Sequence, residues 1–496
     1  MTVNPVVAVA QGRVRGSETD GVLAFRGIPY AAAPVGVHRF TAPAPAPAWD
    51  GVRDALAYGP TAPAAPLAPS LKQLLESPAI AGEEYLNLNV WTPAAGAGRR
   101  PVLVWIHGGA FVNGSGAVSH YDGSKFARDG IVCVTINYRL GAEGFLLVDG
   151  APANRGLLDQ IAALQWVRDN IAAFGGDPGA VTVAGESAGA MSVTTLLSMP
   201  AAEGLFHRAI TQSGAGHTVL AATAAANVTT TLAERLGVKA TAEGFAAVPP
   251  VELVAAQPAV ADEIAAEPDP TVGDEPLPQI LPFAPVVDGQ ILTARPIDRL
   301  GAGASAGIDV LTGTNADEMA LFSVPSGAID AVGDHALAAK LAALGADPAV
   351  MLAAYRQARP DATPGELLTS VMTDWFMRVP AVRVAEARLA HGADTYVYQF
   401  DWPSPKFDGR LGACHTLEIG FAFDQLDTPG SQAMTGPNPP QTVADEMHRA
   451  WVSFITTGDP GWAPYGHDRT VRRLNEHSQT VTDPDAAQRR TWDRIL

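Results

Sequence analysis

The amino-acid sequence predicts an α/β protein with a central, mostly parallel sheet and helices on both of its faces. Short apolar runs of strand length alternate with helical patterns through the first half of the chain. Nearly every position in these runs is apolar, as expected of strands in a sheet that is covered on both faces. With 47% hydrophobic and 17% charged residues, the chain has enough apolar side chains for a large core.

The individual elements follow from the spacing of the apolar residues. Strand patterns occupy residues 3–10, 22–26, 86–91, 102–106, 131–137, 181–184, 209–212, 308–313 and 395–400. Residues 156–174 are predicted to form an amphipathic helix, because apolar residues recur every three or four positions at Leu157, Ile161, Leu164, Val167 and Ile171. Further helices are expected over 188–198, 335–392 and 444–456.

Two stretches are predicted to lie on the surface. Residues 59–70 are too rich in Ala and Pro for a regular element. Residues 249–282 combine prolines with acidic side chains, so we expect a solvent-facing excursion there. Because no internal repeat or separate linker stands out, we expect one elaborated domain over residues 1–496, with long insertions on a single sheet.

Charge and cysteine content narrow the possible partners. The chain has 33 Lys and Arg against 51 Asp and Glu, a formal net charge of -18, which disfavours binding to nucleic acid or to an anionic membrane. No apolar stretch reaches the roughly 18 residues of a membrane span, and the first residues lack a signal-peptide pattern. The two cysteines, Cys133 and Cys414, are too few for a disulfide framework. We therefore expect a cytoplasmic protein without membrane insertion.

The nucleophile is predicted from residues 185–189, GESAG, which lie between a predicted strand and a predicted helix. A G-x-S-x-G sequence at such a junction forms a sharp turn that lifts the serine hydroxyl above the end of the sheet. The helix N-terminus also favours negative charge nearby. We therefore predict the α/β-hydrolase fold with Ser187 as the nucleophile; the alternative is an ordinary turn.

Residues 107–111, HGGAF, follow the predicted strand 102–106 and suit an oxyanion hole. Small residues let backbone N–H groups approach the substrate and stabilise the negative charge of a tetrahedral intermediate. We assign this role to the amides of Gly109, Ala110 and Ala188, and expect His107 to be structural. The segment lacks the lysine of a phosphate-binding loop, and residues 301–307 do not fit a dinucleotide fingerprint. No organic cofactor or metal is expected.

The base and the acid should follow the nucleophile, the acid first and the histidine last. The histidines beyond the later strands are His415, His448, His467 and His477. We choose His415, because it follows the strand 395–400 by a short loop, whereas the others lie on a helix or in a polar tail. The acid should follow the strand 308–313, where Asp317 and Glu318 are adjacent, and the spacing does not separate the two.

The sequence resembles the type-B carboxylesterase/lipase family, which includes bacterial para-nitrobenzyl esterases and the cholinesterases. The similar segments run along nearly the whole chain: FRGIPYAAAPVG (25–36), EEYLNLNVWTP (83–93), WIHGGAFVNGSG (105–116), NYRLGAEGFL (137–146), NRGLLDQIAALQWVRDNIAAFGGDPGAVTVAGESAGA (154–190), AITQSG (209–214), GTNADE (313–318) and GDPG (458–461). The resemblance implies that Glu318, not Asp317, is the acid beside His415, and it suggests a supporting role for Ser213.

Three features depart from the family pattern. Met319 stands where many relatives have Gly, so the turn after the acid is expected to differ. Tyr85 stands where secreted members carry a disulfide cysteine. The Ala- and Pro-rich loop 60–80 replaces the segment in which cholinesterases place an aromatic residue, so choline esters are poor candidates.

The expected reaction is hydrolysis of a small-molecule carboxylic ester through an acyl-enzyme, with Ser187 attacking, His415 as the base and Glu318 orienting the imidazole. Three alternatives on the same site are an amidase, a carbamate hydrolase and a lactonase. A non-catalytic binding protein on the same fold is the alternative from another class.

Overall fold

The computed structural model describes residues 4–266, 280–493 and 495. Most strands belong to one large sheet. The strands, numbered along the chain, are β1 (Val6–Val9), β2 (Gly12–Arg15), β3 (Ser17–Thr19), β4 (Val22–Pro29), β5 (Val52–Asp54), β6 (Asn87–Thr92), β7 (Arg100–Ile106), β8 (Val132–Ile136), β9 (Gly176–Glu186), β10 (Arg208–Gln212), β11 (Leu220–Ala221), β12 (Val286–Val287), β13 (Asp309–Asn315), β14 (Thr395–Phe400), β15 (Thr470–Leu474) and β16 (Gln479–Thr482).

The large sheet is mostly parallel, as predicted. Its strand order is β16-β15-β14-β13-β10-β9-β7-β8-β6-β4-β3. The run from β15 to β8 is parallel throughout, and the strands beyond it at both edges pair antiparallel. Parallel neighbours need a crossover between them, which explains the helical segments that follow most of the central strands. Their carboxyl ends therefore meet along one edge of the sheet.

The helices cover both faces of this sheet. They are α1 (Pro69–Lys72), α2 (Ser124–Arg128), α3 (Gly141–Phe145), α4 (Arg155–Asn170), α5 (Ala188–Ser198), α6 (Ala222–Leu236), α7 (Ala242–Ala246), α8 (Pro250–Ala266), α9 (Pro296–Gly301), α10 (Ala320–Ser323), α11 (Ala328–Ala331), α12 (Asp334–Ala343), α13 (Pro348–Ala358), α14 (Pro364–Thr373), α15 (Val379–Arg388), α16 (Ile419–Ala422), α17 (Pro429–Thr435), α18 (Gln441–Thr457) and α19 (Ala486–Thr491).

Alternate residues of the central strands pack into two separate hydrophobic cores, one on each face of the sheet. On β7, Val104 belongs to the core that contains α4 and α5, whereas its neighbour Trp105 belongs to the core that contains α18. Side chains alternate across a strand, so a strand covered on both faces is apolar throughout. The predicted helix over 156–174 is α4 followed by a 3-10 turn, and its apolar stripe faces the first core.

One predicted surface segment, residues 249–282, is a regular helix over its first half. Residues 250–266, expected in a solvent-facing excursion, form the helix α8. Leu253, Gln257 and Val260 recur every three or four positions and bury one face of α8 in spite of Pro258. Helical spacing of a few buried side chains therefore prevails over proline content. Residues 267–279 of that segment lie outside the described residues.

Both cysteines are buried and unpaired. Within the described part of the chain, no single helix is long and apolar enough to cross a membrane. The pair α12 and α13, bent by 118° relative to each other, meets the criterion only when taken together.

Candidate active site

Ser187 lies at a strained bend between β9 and α5. Its backbone has φ 55° and ψ -124°, a conformation that costs free energy for any residue with a side chain and is concentrated at functional sites. A Cβ atom at position 189 would lie 2.0 Å from the Ile106 carbonyl oxygen, and one at position 185 would lie 2.7 Å from it. Only glycines at both positions allow the bend to sit against the end of β7, with the Ser187 side chain half-buried.

The loop after β7 lies directly against this bend. A Cβ at position 108 would lie 3.0 Å from the Cβ of Ser187. The next three residues all have positive φ: Gly109 111°, Ala110 54° and Phe111 61°. Among the described residues, the amides of Gly109 and Ala110 have no hydrogen-bond acceptor. They are thus available to an oxygen anion beside Ser187.

Ala188, the third predicted donor, is the first residue of α5 and is buried. Amides in the first turn of a helix lack intrahelical acceptors, and the helix dipole adds partial positive charge there. The three predicted oxyanion donors therefore come from two segments that are in contact at Ser187.

The His107 side chain is buried and makes its contacts inside the protein. Its ring stacks on Tyr138 at 4.5 Å between centroids, and Nδ1 lies 2.7 Å from the Gly108 carbonyl oxygen. Burial lowers the pKa of His107 to about 4, so the ring is neutral near pH 7. These contacts fit the structural role expected for it.

Glu318 and His415 are joined by a buried hydrogen bond. His415 Nδ1 lies 2.7 Å from Glu318 Oε2, and the His415 backbone amide donates to the Glu318 carbonyl oxygen at 3.1 Å. The other carboxylate oxygen of Glu318 accepts the Asn315 amide at 2.7 Å. The carboxylate is thereby fixed from both sides, and it holds the imidazole with Nε2 pointing away from it.

Asp317, the other candidate acid, faces a different part of the molecule. Its carboxylate accepts from Arg359 Nη2 at 2.7 Å and from the Ala413 amide at 3.2 Å. Met319, expected to alter the turn, has φ -76° and ψ -5°. This conformation suits any residue, so the chain enters α10 without the glycine that many relatives have.

The imidazole reaches the nucleophile's immediate neighbour. His415 Nε2 lies 3.2 Å from Oε1 of Glu186, the residue before Ser187. The Ser187 hydroxyl makes no hydrogen bond to any described residue, so its bond to the imidazole is not formed in this conformation. Catalytic hydrogen bonds are often loose without substrate and tighten when it binds.

Three buried carboxylates surround the single imidazole. Burial by itself lowers the pKa of His415, but attraction to Glu186 and the hydrogen bond and charge of Glu318 outweigh it and raise that pKa to about 9. Burial also raises the pKa of Glu186 well above its usual range. The Glu186 carboxylate and the His415 imidazole therefore influence each other's pKa across the 3.2 Å that separates them.

Glu418 is the third carboxylate. Its oxygens accept from Gln212 Nε2 at 3.0 Å and from Asn315 Nδ2 at 2.6 Å. Burial raises its pKa, and the nearby charge of Glu318 adds to the effect. Sequence reasoning missed Glu418 and Glu186. A signal existed for both, because Glu186 lies inside the GESAG motif and Glu418 comes only three residues after His415.

The other sequence candidates lie behind the bend, in the core or at the surface. Ser213 is buried directly behind the bend, where its amide donates to Gly313 and the preceding Gln212 carbonyl accepts the Ser187 amide at 2.9 Å. His448 packs on Phe126 and contacts the Ala422 carbonyl. The other two histidines considered are exposed: His467 and His477.

A parallel sheet in which one strand turns into a helix at a strained serine places the molecule among the α/β-hydrolases. The sequence profile described as the carboxylesterase family matches residues 3–492. The chain belongs to the carboxylesterase family, and it is a carboxylic ester hydrolase.

Individual relatives are similar over nearly their full length. The chain is 38% identical to the para-nitrobenzyl esterase of Bacillus subtilis, covering 98% of this chain and 97% of that protein. It is 37% identical to a phenmedipham hydrolase of Pseudarthrobacter oxydans, covering 93% and 91%. The crystal structure of a Geobacillus stearothermophilus carboxylesterase has a TM-score of 0.86 and 38% identity, with 98% of this chain and 100% of that chain covered.

Proposed function

We propose that this esterase uses a Ser187–His415–Glu318 triad and forms an acyl-enzyme on Ser187. The observation that carries the proposal is the buried hydrogen bond of 2.7 Å between His415 and Glu318, with the opposite ring nitrogen directed toward the bend that holds Ser187. A carboxylate bonded to Nδ1 fixes the tautomer in which Nε2 is free to accept a proton.

In the first step His415 Nε2 takes the proton of the Ser187 hydroxyl as its oxygen attacks the ester carbonyl carbon. The carbonyl oxygen becomes an anion, and the amides of Gly109, Ala110 and Ala188 donate to it. Each such donor is worth about 10²–10³-fold in rate. The imidazolium then gives its proton to the departing alcohol, which leaves an acyl group on Ser187.

In the second step water attacks the acyl carbon while His415 Nε2 takes its proton. The imidazolium then gives that proton to the Ser187 oxygen as the bond to the acyl carbon breaks, which releases the acid product and restores the Ser187 hydroxyl. Glu318 stays ionised and stabilises the imidazolium in both steps. Phe322, exposed beside His415 at 5.7 Å between ring centroids, supplies an apolar contact for the substrate at the mouth of the site.

A fluorophosphonate probe and a series of para-nitrophenyl esters test the proposal together. We expect covalent labelling on Ser187, located by peptide mass spectrometry, and a burst of para-nitrophenol that equals the enzyme concentration. Labelling elsewhere, or turnover that survives complete labelling of Ser187, would refute the assignment.

Amide, carbamate and lactone hydrolysis on the same triad remain alternative predictions. The Pseudarthrobacter relative is named for phenmedipham, so phenmedipham belongs in the substrate panel. The values of kcat/KM for an ester and an amide with matched acyl groups decide between the classes. We expect the ester to be the faster substrate.

A further inference from the structure

The loop that carries Glu318 is anchored on both sides by one segment packed behind it. Thr373, the last residue of α14, accepts a hydrogen bond on Oγ1 from the Met319 amide at 3.2 Å. Five residues later, Arg378 Nη2 donates to the Ala316 carbonyl oxygen at 2.6 Å. Glu318 therefore lies between two backbone anchors that come from the same segment.

A π-helical turn makes this double contact possible. The turn spans Asp374–Arg378 and links α14 to α15. In an α-helix of 3.6 residues per turn, residues five apart diverge by about 140° around the axis, whereas the i to i+5 bonding of a π turn brings them toward one side. Thr373 and Arg378 thus both face residues 316–319, the loop that carries Glu318, here called the acid loop. Such turns are rare and are frequently found at functional sites.

Arg378 is itself fixed by a buried chain of hydrogen bonds. Its Nη1 donates to Asp374 Oδ1 at 2.6 Å, and the Tyr355 hydroxyl donates to the other oxygen of Asp374. The Trp492 indole donates to the Tyr355 oxygen at 3.0 Å. Asp374, Tyr355 and Trp492 are all buried. They fix Nη1 of the Arg378 guanidinium, while Nη2 donates to the acid loop.

We propose that Thr373 and Arg378 are positioning residues for Glu318, holding the backbone on both sides of the acid so that its carboxylate stays in contact with His415. The inference rests on the triad proposed above. Neither side chain touches the reacting atoms. Their effect passes through the backbone of residues 316–319, and a misplacement of about 1 Å in a catalytic group costs about 10²-fold in rate.

Thr373→Val is the decisive variant, because it keeps the shape of the side chain and removes only the acceptor of the Met319 amide. We expect kcat, normalised to titrated Ser187, to fall about tenfold while KM changes by less than about twofold. Thr373→Ser keeps the hydroxyl and should stay within about twofold of the parent.

Arg378→Lys examines the other anchor. Lysine keeps the charge opposite Asp374 but lacks the planar fork that reaches two partners at once, so we expect the Ala316 contact to be lost and kcat to fall as in Thr373→Val. Arg410→Met is the matched control. It removes an arginine that makes an exposed ion pair with Asp330, and it should leave kcat unchanged.

Two further readouts separate positioning from a purely structural role. His415 faces Glu186, Glu318 and Glu418, and loosening of the Glu318 bond lowers the pKa of His415. The acid limb of the kcat/KM profile should therefore move to lower pH in Thr373→Val and return in Thr373→Ser. A variant that only lowers the folded fraction would keep the parent profile.

The imidazole proton gives a signature that does not depend on activity. A proton held between Nδ1 of His415 and Glu318 resonates far downfield, and its absence in His415→Gln assigns the signal. We expect the signal to shift or broaden in Thr373→Val and Arg378→Lys and to be restored in Thr373→Ser. If Thr373→Val folds with an unchanged signal, the positioning proposal is wrong. If the parent shows the signal but Ser187 does not react, the failure lies in the proposed triad instead.

Discussion

The two halves of the candidate site are built by different means. On the nucleophile side, Ser187 is positioned by backbone packing, since glycines at 108, 185 and 189 leave no room for a Cβ. On the acid–base side, Glu318 and His415 are 97 residues apart in sequence and are brought together by buried polar side chains and backbone hydrogen bonds. The nucleophile side should therefore be sensitive to any added atom, and the acid–base side to any lost hydrogen bond.

The largest effect is expected on the nucleophile side, from Ser187→Ala. The variant keeps the packing of the bend and removes only the attacking oxygen, so esterase activity should fall by at least about 10⁴-fold. Thermal unfolding should match the parent within a few degrees. Residual activity within tenfold of the parent would show that another group performs the attack.

The next largest effect should come from the acid–base side. Glu318→Gln keeps the shape of the side chain but removes the charge that stabilises the imidazolium, and we expect kcat to fall by about 10²–10⁴-fold. Asp317→Asn is the matched control, because it alters the adjacent carboxylate, which contacts Arg359 and not His415. We expect less than a tenfold change there, and the reverse order would exchange the assignments of the two carboxylates.

The same contrast explains what the sequence allowed us to predict. The bend at Ser187 is encoded within five consecutive residues between a strand pattern and a helix pattern, so local reading was sufficient to propose it. The mostly parallel sheet and its strands from β14 to β8 were confirmed for the same reason, since each depends on a short apolar run. Strand β15 was not predicted, because it lies in the segment read as a polar tail. The choice between Asp317 and Glu318 could not be made from spacing and needed the family resemblance.

Contacts between segments that are far apart in the sequence could not be predicted from it. Glu418 approaches the site through Gln212 and Asn315, each about a hundred or more residues away. Helix α8 was missed because proline and acidic content obscured its few apolar contacts. Neither result follows from residue type alone, because each depends on which surfaces the completed fold brings together.

A smaller effect, on stability, is expected for Gly189→Ala. Helix propensity favours alanine over glycine by about 1 kcal/mol, but the added Cβ would lie 2.0 Å from the Ile106 carbonyl oxygen. We expect the steric effect to prevail and to lower the free energy of unfolding by at least about 2 kcal/mol. Gly307→Ala is the control, since a Cβ there would meet no atom within 4 Å. Equal urea midpoints for the two variants would mean that the bend tolerates movement.

The smallest expected effect is a shift of pH dependence in Glu186→Gln, which links the two halves of the site. Glu186 belongs to the nucleophile side, yet its charge raises the pKa of His415, which lies at about 9 in the parent. A base must be unprotonated to accept the Ser187 proton, so activity rises as pH passes through the pKa of His415. Removal of the anion lowers that pKa, and the acid limb of kcat/KM should therefore move to lower pH.

Glu203→Gln provides the control for this shift, because it removes the same charge from an exposed position and should leave the profile unchanged. An unmoved acid limb in Glu186→Gln would mean that Glu186 is neutral opposite the imidazole. In that case burial and the carboxylates of the acid–base side, Glu318 and Glu418, would set the pKa of His415 without Glu186, and the two halves of the site would titrate independently.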